Sequence, residues 1–254
     1  MAIRPIFIPV MSGFPYVESI DIEFQWFAGF SQKQTRKTIA SLHEAAKKKE
    51  IHPILEISRK SKSALGVSLS AFELSLRTLG TKTISVESAY QGSKVFEDGG
   101  PFHDLYAVSS REAKRDPRLR NSGEVTAFEF SGERFPIEPQ TAFYNWLYMT
   151  ALSQREPPVL QELKRFRGFS DIAFNPKRSI NCQARAVAVY VALNSSVPNV
   201  PQTLDDWDSY LETVTGPKKR SSDERPQRQL NLPFEDVPDA HPPPQKRLHC
   251  REQG

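Results

Sequence analysis

The chain has 254 residues, of which 38% are hydrophobic and 25% charged, and carries a formal net charge of +4. That balance excludes a fibrous or wholly disordered polymer, and the length permits a sizeable core. The excess of positive charge is too mild to argue by itself for a nucleic-acid partner, so local clustering matters more than the total.

The first two segments with strand character are Ile3 to Val10 and Ile20 to Phe27, where β-branched and aromatic residues partly alternate. Ser31 is a suitable N-cap for a helix running to about Lys49, with Ile39, Leu42 and Ala46 along one face. Short strands are predicted at Ile54 to Ser58, Gly66 to Phe72 and Val125 to Phe130. Phe143, Trp146, Leu147 and Thr150 mark a helix, and Pro157 stands near the start of another that ends near Gly168. Ser179 is predicted to open an apolar helix through Val187, Val189, Tyr190 and Val191. Thr203 is predicted to cap the last, with Leu204, Trp207, Leu211 and Val214 on one stripe. The expected architecture is α+β, a single helix-rich domain over residues 1–215. From residue 216 onward seven of the twenty prolines occur, with eight Lys or Arg against six Asp or Glu and few apolar residues. Such a segment buries too little surface to offset its ordering entropy, so 216–254 is expected to be a disordered tail.

No apolar run approaches the roughly eighteen residues of a membrane span. Met1 to Val10, interrupted by Arg4, Pro5 and Pro9, lacks the apolar stretch of a signal peptide, and a cytoplasmic location is expected. Cys182 and Cys250 lie far apart, which suits a reducing compartment without a disulfide framework. Cys182 has no histidine nearby and is expected to be a buried packing residue. The five histidines show no zinc-like spacing, and neither a metal nor a cofactor is expected. The phosphate-binding GxxxxGK[ST], the dinucleotide GxGxxG, the esterase GxSxG and the zincin HExxH are all missing, which removes the usual supports for those chemistries.

Three stretches carry polar groups in patterns that suit chemistry. In Thr83 to Phe96, TISVESAYQGSKVF, Ser85 is a plausible N-cap, and Glu87, Gln91 and Lys94 fall at i, i+4 and i+7 on one helix face. Gly92 inside that helix costs roughly 1 kcal/mol relative to alanine. A close approach by another backbone or a ligand would explain that loss. A solvated polar face has the same spacing. In Tyr106 to Arg120 the cations Arg111, Lys114, Arg115, Arg118 and Arg120 outnumber Glu112 and Asp116. Guanidinium forks suit a pyrophosphate or a DNA backbone, although a charged surface helix reads the same way. In Asn175 to Arg185, NPKRSINCQAR, Asn181, Gln183 and Arg185 stand at the mouth of an apolar helix. Ser179 and the first free backbone amides there suit a phosphate oxygen, or simple capping.

Taken in order, these segments resemble the NADAR family. The matching residues are Leu69, Ser70, Ala71 and Phe72, then SVESAYQGSKVF at 85–96, SREAKRDPR at 110–118, Trp146 with Met149, and Asn181. The N-terminal FQWFAGFSQKQ at 24–34 and LEISRKS at 55–61 are similar to the subgroup of NADAR antitoxins paired with DarT-type toxins. Ser88 stands where the family usually has a histidine, and the WG-rich segment common before the last helix is missing.

The resemblance implies a NADAR-like fold and an antitoxin that removes ADP-ribose from guanine in DNA, reversing the toxin's modification. It implies Glu87 and Lys94 as catalytic residues, with Lys60 a second candidate amine. Substrate contacts fall to Phe72, Tyr90, Gln91, Ser110, Arg111, Lys114, Trp146, Asn181 and Gln183. The implied partners are ADP-ribosylated DNA and a cognate DarT-type toxin. Two alternatives stay open: an N-glycosidase acting on a small phosphorylated ribosylamino metabolite, and a toxin- or DNA-binding antitoxin without catalysis. In the tail, QLNLPF places Gln229, Leu230, Leu232 and Phe234 as the anchors of a short peptide similar to those that dock on the bacterial sliding clamp.

Overall fold

The computed structural model describes residues 1–29, 31–77, 83–155, 157–196 and 207–215. The chain divides into two units, residues 1–218 and 219–254. The second unit, and with it the clamp-like anchors Gln229, Leu230, Leu232 and Phe234, lies outside the described residues, as do Thr203 and Leu204. The fold is α+β. No helix among the described residues is long and apolar enough to cross a membrane.

A four-stranded sheet in the order β2-β1-β9-β3 organises the domain. Strand β1 (Ala2–Pro9) pairs antiparallel with β2 (Val17–Phe24) along its whole length and touches β9 (Gly168–Ser170) through Phe7 and Phe169. Strand β9 in turn runs parallel to β3 (Ile54–Glu56). Strand alternation divides the core. Ile6 and Ile8 face one cluster with Ile22 and Phe24, while Phe7 faces the other with Phe169. Helix α1 (Gln32–Lys47) covers the first with Ile39, Leu42 and Ala46, as its spacing predicts. Ser31 caps it, accepting from the Gln34 amide at 3.2 Å.

The second cluster is built by α6 (Ala142–Ser153) and α8 (Gln183–Ser196), both apolar almost all round and therefore buried. Their Leu147, Tyr148, Val187 and Val191 are almost fully buried. Each such side chain contributes about 1.5–3 kcal/mol relative to exposure. A three-stranded sheet, β6 (Lys94–Phe96), β7 (Val125–Phe130) and β8 (Glu133–Phe135), packs Phe128, Phe130 and Phe135 on the same cluster. There Phe128 stacks on Phe143 at 4.4 Å between ring centroids. The last helix, α9 (Trp207–Thr215), adds Trp207 and Tyr210.

Several local expectations are corrected. Gly66 to Phe72 is not a strand but the short helix α2 (Ala64–Ser68) followed by turns. A Cβ on Gly66 would lie 2.1 Å from the Glu56 carbonyl, so close packing onto the end of β3 explains that glycine. A small hairpin, β4 (Ser75–Arg77) with β5 (Thr83–Ser85), follows. Helix α7 (Pro157–Leu163) stops five residues before Gly168, which instead opens β9. Helix α8 begins at Gln183 rather than at Ser179. Asn175 folds 175–179 into a turn by accepting from the amides of Lys177, Arg178 and Ser179.

Candidate active site

Helix α3 (Val86–Gly92) carries the chemistry-bearing stretch. Ser85 caps it, accepting from the Ser88 amide at 3.0 Å. The helix ends at Gly92, so Lys94 is not on its third turn but opens β6. A Cβ on Gly92 would stand 2.5 Å from Tyr106 Cε1 and 3.0 Å from the Phe102 carbonyl. The predicted close approach is therefore made by the 3-10 turn His103–Ala107 and the residue before it. Despite the early end of the helix, Glu87, Gln91 and Lys94 stay together. Gln91 Nε2 donates to Glu87 Oε1 at 2.9 Å, and Lys94 Nζ donates to Gln91 Oε1 at 2.8 Å.

These three residues line a cleft of about 490 Å³, within the range of about 300–1,000 Å³ usual for small-molecule sites. Glu87 is 5% exposed, and its second partner is Lys114 Nζ at 3.2 Å. Lys114 comes from α4 (Ser110–Arg115), which a capping box between Ser109 and Glu112 starts. Lys94 Nζ also lies 4.8 Å from the Tyr90 ring centroid. Burial lowers its pKa to about 8; the Glu87 carboxylate opposes that fall and the Lys114 ammonium adds to it. Phe72 meets two cations, Lys114 Nζ at 5.1 Å and Arg59 Cζ at 5.7 Å from the ring centroid.

The opposite wall comes from the segment after β9 and the start of α8. Asn181 Nδ2 donates to the Tyr90 hydroxyl at 2.7 Å, leaving Asn181 Oδ1 buried without a partner. Gln183 is a strut. It accepts from the Ala71 amide at 2.8 Å and donates to the Ile57 carbonyl at 2.6 Å and to Asp171 Oδ2 at 3.0 Å. Asp171 lines the cleft, and the buried Glu56 holds both of its neighbours. Glu56 Oε2 accepts from the Ser170 hydroxyl at 2.5 Å, and Oε1 accepts from the Ile172 amide at 3.0 Å. Burial raises the pKa of both carboxyl groups, and for Glu56 the nearby Asp171 charge adds to the rise. Such a pair favours keeping one proton between them.

Of the residues expected to form the site, the cleft gathers Phe72, Glu87, Tyr90, Gln91, Lys94, Lys114, Asn181 and Gln183. Four others are elsewhere. Lys60 is exposed on the loop after β3. Ser110 is buried, donating its hydroxyl to the Phe72 carbonyl and to Ser85 Oγ at 2.8 and 2.7 Å. Arg111 is exposed on α4 and does not line the cleft. Trp146 is buried among Phe130, Phe135, Phe143 and Trp207. Ser88, at the family's histidine position, is buried and donates to the Val108 carbonyl at 3.2 Å, and no imidazole lines the cleft among the described residues.

Sequence reasoning missed Asp171, Phe174 and Arg178, which also line the cleft. One signal was present: Asp171 is the one charged residue in the mostly apolar run from Phe169 to Phe174. An acid in that setting marks a buried, partnered carboxyl. No group of three or more His, Cys, Asp or Glu among the described residues is placed to hold a metal ion.

No curated protein matches the chain. The family model described as DarT1-associated NADAR antitoxin matches residues 2–224, which takes in every residue of the cleft. The chain belongs to the family of DarT1-associated NADAR antitoxins, and its counterpart is a DarT1 toxin.

Proposed function

We propose that this antitoxin is an ADP-ribosyl glycohydrolase that hydrolyses the N-glycosidic bond between ADP-ribose and guanine in DNA. The observation that carries the reading is the buried Glu87 joined through Gln91 to Lys94 in a cleft that also holds Lys114 and Arg178.

Breaking the bond between ribose C1 and the guanine exocyclic nitrogen leaves the bonding electron pair on nitrogen and positive charge on the sugar. Glu87 stabilises that charge and takes a proton from the attacking water, whose oxygen forms the new bond to C1. The nitrogen leaves well only when protonated. A lysine with a pKa near 8 is still mostly cationic at neutral pH, yet is a better acid than an ordinary lysine. Lys94 therefore donates the proton. The products are free ADP-ribose and unmodified guanine. Lys114 and Arg178 bind the pyrophosphate, the second as a planar fork. Asp171 with Glu56 supplies a carboxyl group able to donate to a ribose hydroxyl, and Asn181 Oδ1 supplies an acceptor. Phe72 and Tyr90 offer aromatic surface to a base.

The same lowered pKa also suits a second mechanism, in which neutral Lys94 attacks C1 of a ring-opened ribose. The two differ in sign. An acid role makes activity fall as pH rises through about 8, whereas a nucleophile role makes it rise and leaves an imine that borohydride traps. The test of the proposal is turnover of an ADP-ribosylated guanine oligonucleotide by Glu87→Gln and Lys94→Ala. A loss of at least about a hundredfold in each is expected from removal of a general acid or base. Full activity in both would defeat the assignment.

A further inference from the structure

On the opposite side of the end of β9 lies a second cleft, of about 420 Å³, lined by α1, β3 and the loop after β3. Its floor is a hydrogen-bonded chain. His43 Nε2 meets the Ser170 hydroxyl at 2.8 Å, and that hydroxyl donates to Glu56 at 2.5 Å. Ser170 immediately precedes Asp171 of the first cleft, so both clefts are anchored on the same strand end. Burial and the Lys62 charge lower the His43 pKa to about 4, which leaves a neutral imidazole in the floor.

The rim is cationic. Lys47 and Lys62 line it against Glu44, and the His52 ring lines it as well. Beyond the cleft, the outward positions of α1 and its C-terminus add Lys33, Lys37, Lys48 and Lys49, all exposed. Among the described residues none of these lysines is paired with a carboxylate. Arg59 and Lys62, three positions apart in the chain, stand between the two clefts. Arg59 lies against Phe72 of the first cleft, and Lys62 lines the second. Four extended residues reach at most about 14 Å. On a chain with a net charge of only +4, this is a local concentration of positive charge that leads out of the candidate active site.

We infer that the second cleft and the outward face of α1 bind the phosphodiester backbone of a single strand whose modified nucleotide occupies the first cleft. The inference rests on the proposed activity for what sits in the first cleft. Its own support is the run of lysines without a carboxylate partner among the described residues, reached past Arg59, which pairs with Glu73 at 3.2 Å, and the shared strand end. Lysines act as point charges on successive phosphates and need no base contact. The exposed His52 ring at the rim offers a face for a flanking base. A protein partner fits less well, because lysine is depleted in protein–protein interfaces.

The test is binding of a fluorescent, unmodified 20-nucleotide DNA strand by the full chain, followed by anisotropy over a range of salt concentrations. Wild type is compared with Lys47→Glu/Lys62→Glu and with the milder Lys47→Gln/Lys62→Gln. Both lysines are exposed or line open space, and unchanged melting confirms the fold of each variant. Two lost phosphate contacts reduce the magnitude of the log K against log salt slope by about 1.4 for a single strand. The double Glu variant is expected to bind at least tenfold more weakly at low salt, and the Gln variant to fall between it and wild type. Hydrolysis of ADP-ribosyl-guanosine, which has no flanking phosphates, stays within about twofold of wild type. An unaltered slope, or a wild type that binds no strand, overturns the inference. Strand binding that responds as expected, in a protein releasing ADP-ribose from no substrate, leaves this inference standing and defeats the proposed activity.

Discussion

Replacing Glu87 by glutamine keeps an acceptor for Gln91 Nε2 but removes a negative charge one amide away from the Lys94 ammonium. Two hydrogen bonds and one amide place the two groups at most about 8 Å apart. At that distance, in an effective dielectric of about 20, a unit charge contributes about 2 kcal/mol, or about 1.5 pH units on the lysine. Lys94 is partly open to solvent, so screening reduces the expected change to about one pH unit. The sign is fixed by geometry. Burial and Lys114 already lower Lys94 to about 8 and Glu87 is the group that opposes them, so its neutralisation moves the titration further down. The assay is NMR titration of lysines labelled at Cε, with Lys94→Arg used to assign the resonance. A wild-type midpoint near the ordinary 10.5, or a midpoint in Glu87→Gln that is unchanged or raised, would refute the reasoning. If Lys94 is the acid, the high-pH limb of kcat in Glu87→Gln moves down by the same amount.

Gly92→Ala is expected to destabilise. The new methyl would stand 2.5 Å from a Tyr106 ring whose hydroxyl is held by Ser93 at 2.9 Å, an overpacking cost of about 1–3 kcal/mol that exceeds the roughly 1 kcal/mol gain in helix propensity. Chemical denaturation measures the difference, and a stabilised variant would contradict the close approach. Stability should also fall as pH rises from about 4.5. Glu56 and Asp171 have folded pKa values raised above their unfolded ones, so the folded state binds more protons across that window. Glu56→Gln should flatten this dependence, and an unchanged pH profile would show that the pair ionises freely. Tyr148→Phe removes a buried hydroxyl that donates to the Leu69 carbonyl beside the cleft. The orphaned carbonyl is expected to cost about 1–3 kcal/mol by thermal or denaturant melting, and a neutral effect would mean that the bond is not retained in solution.

How much of this was legible in the sequence depends on the range of the interactions. Helix α1 was readable because its cap and apolar face are local, and β7 because Val125 to Phe130 is rich in β-branched and aromatic residues. Gly66 to Phe72 was misread as a strand because its apolar residues belong to a tight turn packed on β3, a contact that no local pattern encodes. Lys94 was placed one turn too far along a helix, and it still reaches Gln91 because it lies only three residues further along the chain. Ser110 and Trp146 carry the family's pattern, and in the fold they serve packing and hydrogen bonding rather than the cleft. Asp171 was the main omission. Its importance comes from Glu56, which is distant in sequence and adjacent only once β3 and β9 pair.

The most direct measurement is product analysis by mass spectrometry after the purified full chain is incubated with a single-stranded oligonucleotide carrying one ADP-ribosylated guanine. The account predicts free ADP-ribose and a strand restored to unmodified guanine in equal amounts, and formation of both products slowed by at least about a hundredfold in Glu87→Gln. A strand that keeps its full adduct mass, or that loses only part of the ADP-ribose, would contradict it.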